Sequence, residues 1–453
     1  MRISIPRVAR RLTPAAAAAL ACVGLGAGCS TDDLLEVDNP GIAQPSSLTG
    51  ASGLAAYYAA AIGDFAVAFS GDPNGDYEGL VNYGGLLSDE IGSVDTFPTR
   101  NETDQRRTQL DNSSNADVFR SVQRARANAE LAATQFASGA VEGSAADPRR
   151  AEALSIAGFS YVLMAEDYCS GIPFGGLGPD GATLQNGAPQ STDQVFQIAL
   201  AKFDTALTIA TTARVDSLVS LARVGRGRAL IGLNRTADAA AAVAAVPSSF
   251  GYNVTTSANT DRQNNGVYYY FNLNRRFSAI NNEGTNGLPF LTAGDPRVLW
   301  QDSGRRGFDG TRKLLYQLKY PQRTSPIPLA SGAEARLIQA EGALAAGAGT
   351  SFVGFLNAAR TAAGVAAQVA DPGTQTAREN LLFRERAFGL WLTGHRLGDM
   401  RRLVRFYGRA ANTVFPVGEY SGGGTYSTDV NLPIPVQELN NPNYSGVCNK
   451  AAP

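Results

Sequence analysis

The chain has 453 residues, of which 44% are hydrophobic, 8% aromatic and 17% charged, with a formal net charge of −1. That balance supplies a large core and excludes collagen, coiled coil and wholesale disorder. A single histidine, His395, rules out multi-histidine metal sites and leaves one imidazole for acid–base chemistry, which disfavours most hydrolase templates.

In chain order, Arg2, Arg7, Arg10 and Arg11 precede an apolar run from Ala15 to Leu25 that ends in Gly26-Ala27-Gly28-Cys29. This predicts an export signal over residues 1–28, with an apolar core shorter than the ~20 residues a membrane span requires. The small residues before Cys29 are similar to a bacterial lipobox, which implies that Cys29 is acylated. Gly26 stands where the usual lipobox leucine lies, with Leu25 one step further away. Simple secretion is the alternative, and Cys22 is a weaker acylation candidate. Removal of residues 1–28 leaves 35 basic against 40 acidic residues, a net charge of −5, which argues against a nucleic-acid partner. Cys169 and Cys448 are then the remaining cysteines, and export favours a disulfide between them over two separate buried thiols.

Residues 30–49, with Pro40 and Pro45, read as a polar tether. Apolar residues at three- and four-residue spacing then predict an antiparallel helix pair over 118–136 (Val118, Val122, Ala125, Ala129) and 151–168 (Ile156, Ala157, Val162, Ala165). A second pair runs from an N-cap region at Asp193 through Phe196, Leu200, Phe203 and Leu207, then from Asp216 through Ala222, Ala229 and Leu233, with a short helix over 236–246. Small residues at Ala222, Gly225, Gly227 and Ala229 permit close helix approach. Repeated pairs of this kind resemble tetratricopeptide units without a strict ~34-residue period, and a non-repetitive helical domain is the alternative.

From 247 to 330, Asn, Gly, Pro and aromatic residues predict an irregular insert with short strands. Helices resume over 333–346, 351–363 and 376–392, the last with Phe383, Ala387, Leu390 and Trp391 on one face and Gly394 as its stop. An amphipathic stretch with Leu397, Met400 and Val404 follows, then a loop at Gly422-Gly423-Gly424 and an extended tail. The expected fold class is mostly α: a tetratricopeptide-like scaffold of helical pairs, about 50–246 and 331–406, with one long irregular insert, all in a single domain over 29–453.

Several segments resemble, in order, the SusD/RagB family of surface lipoproteins that deliver nutrients to TonB-dependent outer-membrane channels. They are Cys29 to Val37, Val118 to Asn128, Ala151 to Pro173, and the helix carrying Ala335, Arg336, Ala340 and Glu341, followed by Asn357, Arg360 and Gly364. The most specific are Arg384-Glu385-Arg386, Gly394-His395-Arg396 and Asp399-Met400-Arg401-Arg402, and last comes Pro433-Ile434-Pro435 with Glu438 and Asn443. The resemblance covers nearly the whole mature chain. It implies a SusD-like fold, a lipid anchor facing the cell surface at the outer membrane, an oligosaccharide or other nutrient as ligand, a SusC-like channel as partner, no cofactor and no catalysis. The departures are an alanine- and arginine-rich composition, the paired cysteines and few aromatics at the expected binding loops.

The residues allow two rival functions, an exported glycan hydrolase and a helical scaffold that binds only proteins. His395 as a catalytic base needs an orienting carboxylate such as Asp399, and a hydrogen-bonded packing role is the stronger reading. Gly176 to Gly181 formally matches a dinucleotide glycine pattern but contains Pro179, so it reads as a loop. Asp89-Glu90 is the adjacent carboxylate pair for glycoside hydrolysis, with a solvated surface favoured instead. Sugars are held by aromatic faces, and the insert holds the richest aromatic cluster: Tyr252, Tyr268, Tyr269, Tyr270, Phe271 and Trp300. Tyr252, Tyr268, Tyr270 and Trp300 are the ligand-binding candidates. Two readings compete with them: Tyr268 to Phe271 as one buried strand, and Trp300 as a plug between insert and helices. Trp391 is expected in the core.

Overall fold

The computed structural model describes residues 48–75, 77–177, 183–446 and 448–453. The export signal, Cys29 and the tether up to residue 47 lie outside the described residues, as do Gly178 to Gly181.

Helix α1 (Gly50–Ser70) opens the scaffold. It is long and apolar enough to cross a membrane, yet Ala61, Phe65, Ala68 and Phe69 are buried in the main core and the helix packs on α4. Next come α2 (Leu80–Leu87), β1 (Ile91–Ser93) and α3 (Pro98–Asp104). The first expected pair is α4 (Ser113–Ala137) and α5 (Pro148–Asp167). Both start at side-chain caps: Asn112 accepts from Asn115 N at 2.9 Å and Asp147 from Arg149 N at 2.9 Å. The Tyr161 hydroxyl donates to Glu130 across the pair.

The second pair is α6 (Thr192–Ala213) and α7 (Asp216–Gly232), with α8 (Thr236–Val243) after it. A Ser191/Gln194 capping box starts α6, two residues before Asp193. The small-residue stripe does what its spacing predicts. A Cβ added at Gly225 would lie 2.2 Å from the Phe203 ring, and one at Gly158 would lie 2.7 Å from it, so the ring fills the space two glycines leave.

The insert carries β2 (Gly251–Val254), β3 (Phe277–Ala279), β4 (Trp300–Arg306), β5 (Lys313–Gln317) and β6 (Ile327–Ser331). These form antiparallel pairs β1–β3, β2–β6 and β4–β5. Tyr268 to Phe271 is helical and not a strand: Asn265 caps Gly266–Tyr268 and a π-helical turn, Tyr269–Leu273, follows. The alternation of rings that a strand would impose is therefore absent.

Helices α9 (Gly332–Ala345), α10 (Gly349–Ala362), α11 (Gln375–Gly389) and α12 (Arg396–Phe406) complete the scaffold. Helix α11 stops at Gly389, five residues before Gly394, and the apolar face read for it divides between two cores. Phe383 and Leu390 join a small core with Leu337, Phe352 and Leu356, whereas Ala387 and Trp391 join the main one. Trp391 is fully buried.

Thr49 to Pro453 is one compact unit. Its tail folds back on the first helices: Leu432 N donates to Asp167 O, Cys169 N to Leu432 O, Arg106 Nε to Asp429 O and Lys450 Nζ to Thr108 O. A disulfide joins Cys169 to Cys448, with Cα atoms 5.7 Å apart.

Candidate functional site

The arginine- and acid-rich segments near the carboxyl end bury their charges. Asp399 accepts from Arg386 Nε at 2.8 Å and Arg402 Nη2 at 2.7 Å, and Arg402 also pairs with Glu341. Burial alone would raise the Asp399 carboxyl, but the two guanidinium groups hold it well below the usual carboxylate range. Glu385 lies between Arg360 and Arg297, each at 2.8 Å. These pairs are structural, binding α9, α10, α11 and α12 to the insert.

His395 is buried, with Nε2 3.1 Å from Glu334 and Nδ1 2.9 Å from the Thr393 hydroxyl. Its carboxylate neighbour is thus Glu334 rather than Asp399. Asp89 and Glu90 are buried as well, contrary to the solvated reading. Asp89 pairs with Arg396, and Glu90 accepts from Leu392 N at 2.6 Å. Asp104 and Glu283 are two more carboxylates pushed upward by burial, occupied by the hydroxyls of Tyr420 and Tyr426 under the tail. Among the described residues no group of three or more His, Cys, Asp or Glu side chains is arranged to hold a metal ion.

The four aromatic candidates are not brought together. Tyr270 is fully buried, edge-on to Tyr269 and tilted against Phe277. It has no surface to offer a ligand and is a core residue. Tyr252 is half-buried and its hydroxyl donates to Glu152 Oε1 at 2.5 Å, while Tyr58 donates to Glu152 Oε2 at 2.8 Å. Burial and then Glu152 push both phenols far upward. Tyr268 is half-buried against the core. Trp300 is 37% exposed, its Nε1 donating to Leu291 O at 3.1 Å. It opens β4 opposite Gln317, at the end of the hairpin away from the turn.

Two exposed aromatics escaped the sequence reading, Phe97 at 38% and Phe308 at 43%. Phe97 precedes α3, outside the insert, and Phe308 sits in the hairpin turn, so no common periodicity links them. The Arg276 guanidinium connects them, 4.8 Å from the Phe97 ring centre and 3.4 Å from that of Phe308. Buried Asp95 fixes this arrangement by accepting from Arg276 and Arg100, each at 2.6 Å. The turn is zipped to the body: Phe308 N donates to Arg275 O and Asp309 N to Val94 O. Gly307 is required there, since a Cβ would meet Val94 at 2.4 Å. Arg312 is fastened to Asp309, whose carboxyl it lowers against the effect of burial. The result is a fixed exposed pair, Phe308 and Phe97, at the turn of the hairpin, with Trp300 exposed at its other end.

Solved structures share this fold over most of the chain. Surface glycan-binding protein A from Bacteroides uniformis is 14% identical, with 88% of this chain and 99% of that one covered at a TM-score of 0.64. A SusD superfamily protein from Parabacteroides distasonis is 14% identical, covering 86% and 98%, with a TM-score of 0.63. A SusD-like carbohydrate binding protein from Bacteroides vulgatus is 15% identical, covering 77% and 83%, with a TM-score of 0.57. The chain has a SusD-like fold. No protein-family profile matches it, and no curated protein is similar to it in sequence.

Proposed function

We propose, with the SusD-like fold as premise, that the protein is a surface lipoprotein anchored at Cys29 in a bacterial outer membrane. It captures an oligosaccharide and passes it unchanged to a TonB-dependent channel. The observation that carries this reading is the likeness, over most of the chain, to proteins described as glycan- or carbohydrate-binding. The exposed face of Trp300, Phe308 and Phe97 is its natural contact surface, because aromatic rings held in place bind sugar faces at low entropic cost.

Affinity electrophoresis of the full chain in gels containing neutral and acidic polysaccharides tests it. Retardation by at least one glycan, weakened by Trp300→Ala or Phe308→Ala at unchanged thermal midpoint, is expected. Migration unaffected by every glycan overturns the reading. Release of reducing sugar from a retained glycan would favour the rival hydrolase.

A further inference from the structure

Charge is divided unevenly along this chain. The insert over residues 247–330 holds ten Lys and Arg against five Asp and Glu, whereas the rest holds 29 against 35. The scaffold is acidic and the insert is basic.

Four of the insert's ten basic residues pair with carboxylates at close range. Arg262 pairs with Asp64, Arg276 with Asp95, Arg297 with Asp295 and Glu385, and Arg312 with Asp309. Arg305 and Arg306, like Arg323, are exposed and have no carboxylate partner among the described residues, but these two are adjacent on one strand. Among the described residues the Arg306 side chain donates to Thr311 O, at 2.9 Å. Across the hairpin Arg306 stands directly opposite Lys313, and the nearest acid to Lys313 is Asp302, at 3.8 Å. Like charges opposite one another destabilise an antiparallel pair, so Arg306 and Lys313 form an arrangement that a bound anion relieves, and Arg305, opposite Leu314, adds a third cation at the same end of the hairpin. A register shift between Asp302 and Arg305, with Gly304 at φ +65°, precedes the last two pairs of the ladder, Arg305 opposite Leu314 and Arg306 opposite Lys313. Phe308 follows two residues later, beside Arg276.

We propose that the β4–β5 hairpin binds an acidic glycan, with Arg305, Arg306 and Lys313 holding its anionic groups while Phe308 and Trp300 hold sugar faces. This deepens the proposed function and rests on it. Planar guanidinium groups match carboxylate and sulfate in the same bidentate way, so the shared chemistry is an oxyanion carried on a sugar chain. Trp300 and Arg306 stand six residues apart, ~20 Å in an extended strand, so the ligand is an oligomer.

The test measures binding of the full chain to polygalacturonate, dextran sulfate, neutral pullulan and poly-glutamate, with the Arg305→Ala/Arg306→Ala double variant alongside. Stronger binding to polygalacturonate or dextran sulfate than to pullulan and poly-glutamate is expected, and the favoured one assigns uronate or sulfate. The double variant should lose about tenfold or more of that affinity, since each charge-assisted bond contributes strongly, and added salt should weaken the parent more than the variant. Both side chains are exposed, so the thermal midpoint should be unchanged. Parent affinity for pullulan equal to that for the acidic glycans, and unchanged for all of them in the variant, overturns the inference and leaves the proposed function standing. Equal binding of poly-glutamate reduces the hairpin to a general polyanion patch and also overturns it. Failure to bind any glycan overturns both.

Discussion

Trp391 and Trp300 show how residues of one type acquire opposite roles. Trp391 is fully enclosed in the main core, whereas Trp300 keeps a third of its surface open at the hairpin. Trp391→Ala should cost ~3–5 kcal/mol through the cavity it leaves, and Trp300→Ala should leave the thermal midpoint nearly unchanged while weakening glycan retention. Equal large losses of midpoint would make both structural. Glu90 is a second residue whose setting decides its behaviour. Burial pushes its carboxyl up to about 8, partly offset by the Leu392 N–H it accepts and by Lys319, which burial in turn lowers to about 8. A carboxyl raised on folding keeps its proton in the native state while the unfolded chain releases it. Its contribution to stability is therefore lost as pH rises from about 4.5 towards 8. The Glu90→Gln variant carries no such term. Its stability relative to the parent should improve steadily from pH 5 to pH 8, and parallel pH profiles for the two proteins would contradict this.

Among elements, helices were legible where one apolar stripe meets one cap. Helices α4 to α7 follow the spacing of Val118, Ile156, Phe203 and Ala222, and Asn112, Asp147 and Ser191 cap the starts of α4, α5 and α6. The end of α11 was not legible, because Leu392 takes φ +56° and is held there by Glu90 and by Tyr320 from the insert. Such long-range contacts leave no local signal. The aromatic run Tyr268 to Phe271 was misleading for a different, local reason, since composition suits a strand but the Asn265 cap starts a helical turn. The candidate face was half legible: Trp300 was found, while Phe97 and Phe308 required the Arg276 bridge to be seen. The Arg386, Asp399 and Arg402 motif was visible as a pattern, but only burial reveals its task. Asp399→Asn leaves two buried guanidinium groups short of countercharge and should cost ~3–5 kcal/mol in chemical denaturation. A loss within ~0.5 kcal/mol, the range of ordinary surface substitutions, would mean the pairs are solvated.

At the scale of the whole molecule, the covalent link between Cys169 and Cys448 closes a segment of 279 residues. The chain-entropy account assigns such a loop ~5 kcal/mol. Reduction, or Cys448→Ser, should lower the thermal midpoint markedly while the folded protein still binds glycan, because the hairpin face lies in the insert and not in the tail. A midpoint unmoved by reductant would show that the two thiols are unlinked in the protein as isolated. The tail also carries a temporal implication. Synthesis delivers α4 and α5 early, yet Asp167, Cys169, Arg106 and Thr108 receive their partners from residues 429 to 450. Completion of the earliest helices therefore waits for termination instead of keeping pace with elongation, and a message cut short near its end yields an unclosed scaffold, not a smaller working protein.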